Sequence, residues 1–342
     1  MALGTVRGYP EDTYFFPLWR NRTMIHSRFP AILFLPLLLA GAASAADPAQ
    51  VRLVFAGDVM LADGPGKVIE RGGDPFAPFA EILRDADYTI ANLECVIATR
   101  GQAVKKPWTF RAHPRTLEVL KKHIDAVSLA NNHTGDFGHE AFLEQIELLG
   151  TAQLPAFGGG HNRAEAHRPL IVDLKGLRIA LLGYNEFKPR SFEAGDSTPG
   201  VAWSVDERVL ADIASARKEQ HADLVIPFMH WGHEYEPAPD DRQRQLAHKM
   251  IDAGADVVVG AHPHCTQGTE IFRNKLIVYS LGNFVFDGFK EPEAKRGWVL
   301  RLTLDRQGLT HWDTVVADID EDGVPRPNLK VESPRGDIVR PK

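Results

Sequence analysis

The chain has 342 residues, 44% of them hydrophobic, and a formal net charge of −6 at pH 7. This length can hold one large domain or two small ones, with enough apolar residues for a substantial core. The acidic balance and the lack of a cluster rich in lysine and arginine exclude nucleic acid as an expected partner.

The first 45 residues contain the pattern of an export signal. Arg28 precedes an apolar run that begins at Ala31, and small residues end the segment at Ala45. This layout is typical of a secretory signal peptide cleaved near Ala45, and it predicts an exported protein of the periplasm or cell envelope. The run is shorter than the about 20 residues of a membrane helix, although an uncleaved signal that anchors the protein is the alternative. Acidic residues before Met24 fit no signal, which indicates Met24 as the true start within an N-terminal extension, residues 1–45.

Short apolar runs alternate with helical patterns along the rest of the chain. Most of the runs are rich in β-branched residues, as expected of strands that are buried on both faces. One helical pattern places Phe142, Ile146 and Leu149 on one face before Gly150, and a second ends at Gly254. The predicted strands are 51–58, 88–94, 125–133, 178–185, 223–232, 256–264, 276–284 and 298–304.

This alternation predicts a layered α/β domain. We place the domain over residues 46–320. Residues 321–342 are polar and rich in proline, which predicts a loosely attached tail.

Several of the predicted strands end in a side chain that can bind a metal or take part in catalysis. Each such residue alone is typical of a turn or a cap. Their recurrence at strand ends favours a functional site, because ligands of open α/β sheets bind outside the carboxyl ends of the strands. The recurrence argues against a purely structural α/β protein. The residues are Asp58, Glu94, Asn132, His133, His230, His262 and His264.

The motifs that contain these residues resemble those of one known family. They are "FAGDVML", "NLECVI", "SLANNHTGDFG", "HWGHEYEPAP", "GAHPH" and "LIVYSLGNFVFD", which occur between Arg52 and Phe286. In this order they are similar to the CapA-type capsule synthesis proteins, which are implicated in making or exporting poly-γ-glutamate. The domain of that family resembles the calcineurin-like metallophosphoesterases. The resemblance therefore implies a layered sheet-and-helix domain of metallophosphoesterase type.

The resemblance also implies a centre for two divalent metal ions, manganese, iron or zinc. His133 resembles the histidine that protonates a leaving group or steadies a phosphoryl oxygen. Met60 stands where metallophosphoesterases usually have a histidine ligand. A thioether binds such ions poorly, so one of the two metals is expected to bind more weakly. The residues that match metal ligands are Asp58, Glu94, Asn132, His230, His262 and His264.

Further residues of the same motifs are expected around the metals. An outer carboxylate should orient each ligating imidazole, and Asp136, Glu234 and Asp287 are the candidates. Asn283 and Tyr235 line the pocket or, as the alternative, cap a loop and pack. The residues predicted to contact substrate or to support the ligands are Asn131, Glu234, Tyr235, Asn283 and Asp287.

The two cysteines of the chain directly follow two of the ligand positions. Cys95 follows Glu94, and Cys265 follows His264. If both ligands surround one metal centre, the cysteine backbones would lie within the about 4.4–6.8 Å that a disulfide needs. We therefore hypothesise a disulfide between Cys95 and Cys265, with two buried thiols as the alternative.

Two functions follow from these features. The first is an exported capsule synthesis protein with a metal-dependent hydrolase site that acts on a phosphoester or a polymer bond. The second is a non-catalytic partner that binds the anionic polymer poly-γ-glutamate and assists a membrane capsule synthase, and Met60 favours it. Lys105, Lys106 and Arg111 are candidates for contacting the polymer, or belong to a solvated loop.

Overall fold

The computed structural model describes residues 50–339, which belong to one compact unit. The predicted signal peptide and its cleavage site lie outside these residues, as do residues 340–342. Over the described range, none of the helices combines the length and the apolar character of a membrane span.

The helices and strands of the described residues are short and numerous. The strands are β1 Val51–Val59, β2 Tyr88–Leu93, β3 Val96–Ile97, β4 Arg111–Ala112, β5 Ala126–Ser128, β6 Ala156–Phe157, β7 Gly159–Gly160, β8 Leu170–Leu174, β9 Leu177–Asn185, β10 Gly200–Val201, β11 Leu224–His230, β12 Val257–Ala261, β13 Thr266–Phe272, β14 Lys275–Leu281, β15 Asn283–Val285, β16 Arg296–Asp305, β17 Gly308–Ile319, β18 Pro325–Asn328 and β19 Arg335–Asp337. The α-helices are α1 Asp63–Glu70, α2 Ala80–Arg84, α3 Leu117–Leu120, α4 Gly138–Ala152, α5 Arg163–Ala166, α6 Asp206–Lys218 and α7 Asp241–Ala253. Short 3-10 turns occupy Ala77–Phe79, Pro114–Thr116, Arg190–Phe192 and Pro292–Lys295.

Two large sheets organise the described residues. The first has the strand order β18-β17-β16-β1-β2-β5-β6, with β15 paired to β1 and β19 paired to β17. Its strands β1, β2 and β5 run parallel, whereas β16 and β17 are antiparallel. The second sheet has the order β13-β14-β12-β11-β9-β8, and its four central strands run parallel.

The two sheets pack face to face, and helices cover their outer faces. Along β1 the side chains alternate, so Leu53 and Phe55 enter the core between the sheets while Val54 and Ala56 enter the core under the helices. Phe55 meets Phe228 of the second sheet edge to face, with ring centroids 5.6 Å apart. Both faces of the strand are buried, which explains its nearly continuous apolar sequence. This arrangement of helix, sheet, sheet and helix confirms the predicted layered α/β fold.

Residues 325–328 and 335–337 are strands of the first sheet, so the expectation of a loosely attached tail is wrong for them. These strands, β18 and β19, lie beyond the predicted domain end at residue 320, and both pair with β17. The prolines of β18, Pro325 and Pro327, lie on an edge strand, where a missing N–H is tolerated. Ile338 packs against the core between the sheets.

Deleting residues 321–342 is therefore expected to destabilise the protein. We expect the free energy of unfolding to fall by about 2 kcal/mol or more, because the deletion re-exposes apolar surface covered by Val324 and Ile338 and unpairs the edge of β17. Thermal unfolding of the deleted and intact proteins, compared by circular dichroism, should show the midpoint lowered by about 4 °C or more. An unchanged midpoint would mean that residues 321–342 are only loosely attached.

Candidate metal centre

The polar residues predicted from the strand ends converge where the two sheets meet. The first sheet supplies the residues at or after the ends of β1, β2 and β5, and the second sheet supplies those of β11 and β12. All of the carboxylates and imidazoles involved are buried. From the first sheet come Asp58, Glu94, Asn132 and His133, and from the second come His230, His262 and His264.

An irregularity in β1 positions Asp58. The register between β1 and β2 shifts between Ala56 and Asp58, and the Asp58 N–H donates to the carbonyl oxygen of Gly282 over 3.1 Å. A Cβ at Gly57 would lie 1.9 Å from that same carbonyl oxygen, so only glycine allows this approach. The "GD" pair is therefore a bulge that turns the carboxylate towards the second sheet, with Asp58 Oδ2 accepting a hydrogen bond from the His262 N–H.

The two histidines of "GAHPH" have unusual backbone conformations. His262 has φ 99° and His264 has φ 57°, both in the region that glycine favours. Their ring centroids are 5.8 Å apart, and the ring of His230 lies 4.6 Å from that of His262. Backbone strain of this kind is retained where the surrounding structure holds it, and here it places both imidazoles in the same centre.

Four polar atoms of the centre are buried without a partner. Both carboxylate oxygens of Glu94 and both ring nitrogens of His262 have no hydrogen-bond partner among residues 50–339. An unpaired buried carboxylate is costly, and buried charges in proteins are normally paired or bound to a metal. These atoms therefore fit a bound cation.

The ligand atoms form two overlapping groups that share Glu94. In one, Glu94 lies with His262 and His264, and in the other it lies with Asp58 and His230, all ligand atoms of each group being within 4.8 Å of one another. Glu94 Oε1 is 3.5 Å from His230 Nε2 and 3.9 Å from His264 Nε2. Because Glu94 is common to both groups, its carboxylate could contribute a ligand in either one. Carboxylate, imidazole and amide ligands suit manganese, iron or zinc.

Burial keeps the imidazoles in the form that binds metals. It lowers the pKa of His230 and of His262 well below the usual value, and neighbouring histidines add to the effect. Burial also raises the pKa of Glu94 well above its usual range, and the negative charge of Asp58 raises it further. The close approaches of Glu94 to the imidazoles therefore involve neutral rings in the metal-free protein, and metal binding requires deprotonation of Glu94.

Asn283 fixes the orientation of His264. His264 Nδ1 donates to Asn283 Oδ1 over 2.9 Å, and Asn283 Nδ2 donates to the carbonyl oxygens of His264 and Ala294. Because Nδ1 carries the proton, Nε2 of the neutral ring has a free lone pair on the side of Glu94. The structure thus places Asn283 behind a ligand rather than at the pocket surface.

His133 belongs to a chain of charged groups at the edge of the centre. Its Nδ1 donates to Asp136 Oδ2 over 2.7 Å, and the other oxygen of Asp136 forms an ion pair with Lys106. Lys106 also donates to the carbonyl oxygen of Asn132 over 3.0 Å. The solvated loop considered for Lys106 is therefore wrong. Among the three candidates for an orienting carboxylate, Asp136 is the one in contact with the ring of His133.

The other two asparagines of this turn have different surroundings. Asn132 Oδ1 lies 2.7 Å from His230 Nε2, at the centre itself. Asn131 Oδ1 accepts from the N–H groups of His133 and Thr134, so it shapes the turn. Asn132 could therefore bind a metal, whereas Asn131 holds the turn that positions Asn132.

Asn92 is a site residue that the sequence analysis missed. Its Nδ2 donates to Asp58 Oδ1 over 2.7 Å and to His230 Nδ1 over 3.1 Å, and its Oδ1 accepts from Asn131 Nδ2. One amide thus connects ligands of both sheets. The feature of the sequence that could have indicated Asn92 is an amide within strand β2, two residues before Glu94.

Asn92→Ala is expected to weaken metal binding by about 10–100-fold, because residues that hold the ligands of a metal contribute this much to affinity. Titration of the metal-free protein with Mn²⁺ or Zn²⁺ by calorimetry measures the effect. Asn328→Ala, which removes an amide on the edge strand β18, is the control and should bind like the parent. Equal affinity of Asn92→Ala and the parent would contradict this role.

The side chain of Met60 lies in the core under the helices, away from the ligands. It is buried, and its Sδ accepts a hydrogen bond from the Ala62 N–H over 3.1 Å. Nothing at this position of the described structure replaces the missing histidine.

The hypothesised disulfide is absent: Cys95 and Cys265 are both free and buried. Cys95 Sγ accepts from the Leu61 N–H, within the core under the helices. Cys265 Sγ donates to the carbonyl oxygen of Glu236. The side chains that precede them meet at the centre, but alternation along the chain turns the thiols into separate environments.

The remaining candidates lie around two cavities beside the centre. Glu234 lines both cavities, while Tyr235 and Asp287 line the smaller one. Asp287 Oδ2 accepts from the Gly64 N–H, and burial together with the charge of Asp63 raises the pKa of Asp287. Neither Glu234 nor Asp287 has a hydrogen bond to a ligating imidazole within the described residues.

Of the other two basic candidates, Arg111 lines neither cavity. Its guanidinium lies 4.3 Å from the ring centroid of Phe137 and donates to the carbonyl oxygens of Arg100 and Gly101. Lys105 is exposed and lines the larger cavity.

Comparison with known proteins gives a consistent set of relatives. A family model described as "Bacterial capsule synthesis protein PGA_cap" matches residues 52–288. The PGA biosynthesis protein CapA of Bacillus subtilis (strain 168) is 32% identical over 299 residues, which cover 84% of this chain and 76% of that protein. The capsule biosynthesis protein CapA of Bacillus anthracis is 31% identical over 288 residues, covering 81% of this chain and 69% of that protein.

Among solved structures the similarities are weaker. Haemophilus influenzae NAD nucleotidase gives a TM-score of 0.46 at 13% identity, covering 82% of this chain and 54% of that chain. The sulfate thiohydrolase SoxB of Thermus thermophilus gives 0.47 at 13% identity, covering 83% and 58%. Similarities this low say nothing about the reaction of this chain.

Proposed function

The chain belongs to the family of bacterial capsule synthesis proteins described as PGA_cap, which confirms the family predicted from its motifs, and we propose that it works in this process as a metal-dependent hydrolase. The Bacillus subtilis relative is named a PGA biosynthesis protein, and the resemblance of the motifs implies poly-γ-glutamate. The proposed substrate is therefore an anionic polymer or its phosphoester precursor. The observation that carries the proposal is the buried, unpaired Glu94, which is common to two groups of metal-binding side chains.

Divalent ions bound here would polarise a phosphoryl or carbonyl oxygen and lower the pKa of a water molecule. Asp58, Glu94, His230, His262 and His264 would hold the ions. Buried imidazoles and carboxylates are ligands of the kind that such ions prefer.

The residues beside the ligands have roles that do not depend on metal geometry. Asp136 accepts from His133 Nδ1, so it holds the ring with Nε2 available to the cavities that His133 lines. Burial lowers the pKa of His133, and the hydrogen bond to Asp136 and its negative charge oppose this effect. When the ring is protonated, Nε2 would deliver its proton to a leaving group. Lys106 stabilises Asp136 and fixes the carbonyl group of Asn132.

Metal content and turnover test this proposal together. The purified protein, exposed to Mn²⁺ and Zn²⁺ and then freed of excess ions, should contain about two ions per chain by elemental analysis, and His262→Ala should lose them. The loaded protein should hydrolyse an aryl phosphodiester or a γ-linked glutamate oligomer. Retained metal with no hydrolysis of either class of substrate would count against an enzyme.

A second function is favoured by Met60. Because its side chain lies in the core, the centre lacks one ligand, as expected of a protein that holds a polymer without cleaving it. In that case the protein would bind poly-γ-glutamate and assist a membrane capsule synthase. About one ion per chain, polymer binding and no hydrolysis would select this function.

We also propose that the protein acts outside the cytoplasm, in the periplasm or cell envelope, either released or anchored by an uncleaved signal. The support is the secretory pattern that ends at Ala45. N-terminal sequencing of the protein recovered from its source should identify a start near Ala46, and a start that retains the apolar run would indicate the anchored form.

A further inference from the structure

Two adjoining cavities lie beside the candidate metal centre, and we call them the large arm and the small arm of one cleft. The large arm is a cavity of about 830 Å³ and the small arm a cavity of about 340 Å³. Trp108, His133 and Glu234 line both arms, so the arms meet beside the ring of His133. A substrate bound across this junction would reach into both arms.

The two arms differ in charge. Three lysines and two carboxylates line the large arm, and within residues 50–339 two of these lysines, Lys105 and Lys188, form no ion pair. Both are exposed, so their positive charges face the solvent and any ligand in the arm.

In the small arm a single lysine, Lys290, faces four carboxylates. The large arm therefore attracts anions, and the small arm repels them. The four carboxylates are those of Asp63, Glu234, Asp287 and Glu291.

An aromatic side chain stands at the junction. Trp108 lines both arms and is 72% exposed. On the small-arm side, Tyr235 is 44% exposed. Exposed rings of this kind offer contact area to the apolar stem of a flexible chain at little entropic cost.

We propose that the centre acts at one end of an anionic polymer, an inference that rests on the proposed function. The carboxylate-bearing chain lies in the large arm, beside Lys105 and Lys188. The small arm receives a single terminal residue that bears a free amino group, because four carboxylates favour an ammonium ion and disfavour further polymer carboxylates. The protein therefore trims a polyglutamate chain from its amino end and does not cut within it.

The chemistry is the addition of water across the amide that joins the terminal residue to the chain. The carbonyl carbon gains an oxygen, the carbon–nitrogen bond breaks, and the nitrogen that leaves with the chain takes a proton. That nitrogen stays on the large-arm side of the junction, which His133 lines, and His133 Nε2 supplies the proton.

Binding measurements test the orientation without relying on turnover. Calorimetric titration with a short γ-linked glutamate oligomer should show binding about five-fold tighter for a free than for an acetylated amino end. Lys105→Glu and Lys188→Glu should each weaken both ligands by about five-fold, with an effect that shrinks in high salt. Glu291→Lys should remove the preference for the free end. Lys122→Glu is the control, since Lys122 is exposed and lines neither arm.

The outcomes separate this inference from the proposed function. Equal affinity for free and acetylated ends, or no effect of the lysine reversals, would overturn the orientation even if the protein hydrolyses the oligomer. No binding of either oligomer would also overturn it. Tighter binding of the free amino end, with the expected effects of the variants, would support the orientation. If the protein then showed no hydrolysis, it would be a protein that binds the chain end and not an enzyme.

Discussion

Glu94→Gln is expected to abolish metal binding and, at the same time, to stabilise the metal-free protein. The carboxylate is fully buried and has no hydrogen-bond partner among the described residues. Its pKa is raised well above the usual range by burial and by Asp58, so without a cation the ionised group opposes folding near neutral pH. The neutral amide removes this cost, which is about 1–3 kcal/mol for an unsatisfied buried group.

The change in stability caused by Glu94→Gln should reverse its sign when metal is added. Binding to the folded state alone stabilises the parent protein, and an ion at about 100 times its dissociation constant adds about 2.7 kcal/mol. Thermal unfolding with a chelator and with Mn²⁺ or Zn²⁺ gives the four midpoints needed. We expect the variant to unfold above the parent with the chelator and below it with the metal.

A satisfied buried carboxylate provides the matched control. Glu144 accepts hydrogen bonds from the Thr99 and Arg100 N–H groups and from the Thr99 hydroxyl. Glu144→Gln should therefore lower the midpoint by a similar amount in chelator and in metal. If Glu94→Gln also lowers the midpoint by a similar amount in chelator and in metal, Glu94 is a structural residue and does not bind the metal.

His133→Ala is expected to lower turnover by about 10²–10⁴-fold while leaving the metal content unchanged. The ring is absent from both groups of metal-binding side chains, and its Nδ1 is held by Asp136. The loss should appear in kcat with little change in KM, because the proton is transferred in the chemical step. Steady-state kinetics beside elemental analysis of the same sample measures both quantities.

The control is a half-buried histidine that is also paired with an aspartate. His123 Nε2 contacts Asp74 Oδ2 over 2.8 Å, and neither residue lines a cavity of the cleft. His123→Ala should lower stability and leave the turnover of the folded protein unchanged. If turnover in His133→Ala equals that of the parent, His133 has no part in the reaction and the non-catalytic function gains support.

The position of the candidate ligands could be predicted from the sequence because strand ends are visible in it. The apolar runs stop at or just before Glu94, His230 and His262. The carboxyl ends of parallel strands lie on one edge of a sheet, so residues at these positions are expected to lie close together. The runs do not say which sheet a strand joins. Both sheets contain strands that are buried on both faces, so the division of the ligands between two sheets became visible only in the pairing of the strands.

Other features escaped because their signal in the sequence is weak. Helix α6 is absent from the predicted helices, since its apolar stripe consists of only Val209, Ile213 and Ala216. Lys106 looked like a loop residue because its partner Asp136 is thirty positions away and nothing in the chain marks the pair. The tail looked loose because proline and charge are also typical of an edge strand.

The neighbours of β1 determine when the candidate metal centre can assemble. This first strand lies between β2 and β16, and Val51 pairs with Leu304. The carboxylate of Asp58 also lies next to β15, with Asp58 opposite Asn283. A chain emerging from the ribosome, or crossing a membrane in extended form, therefore has no assembled centre until its last third has folded back onto its first strand. If the centre binds a metal as proposed, the compartment in which β1 pairs with β16 would decide which metal it takes, because the supply of ions selects among metals of similar affinity.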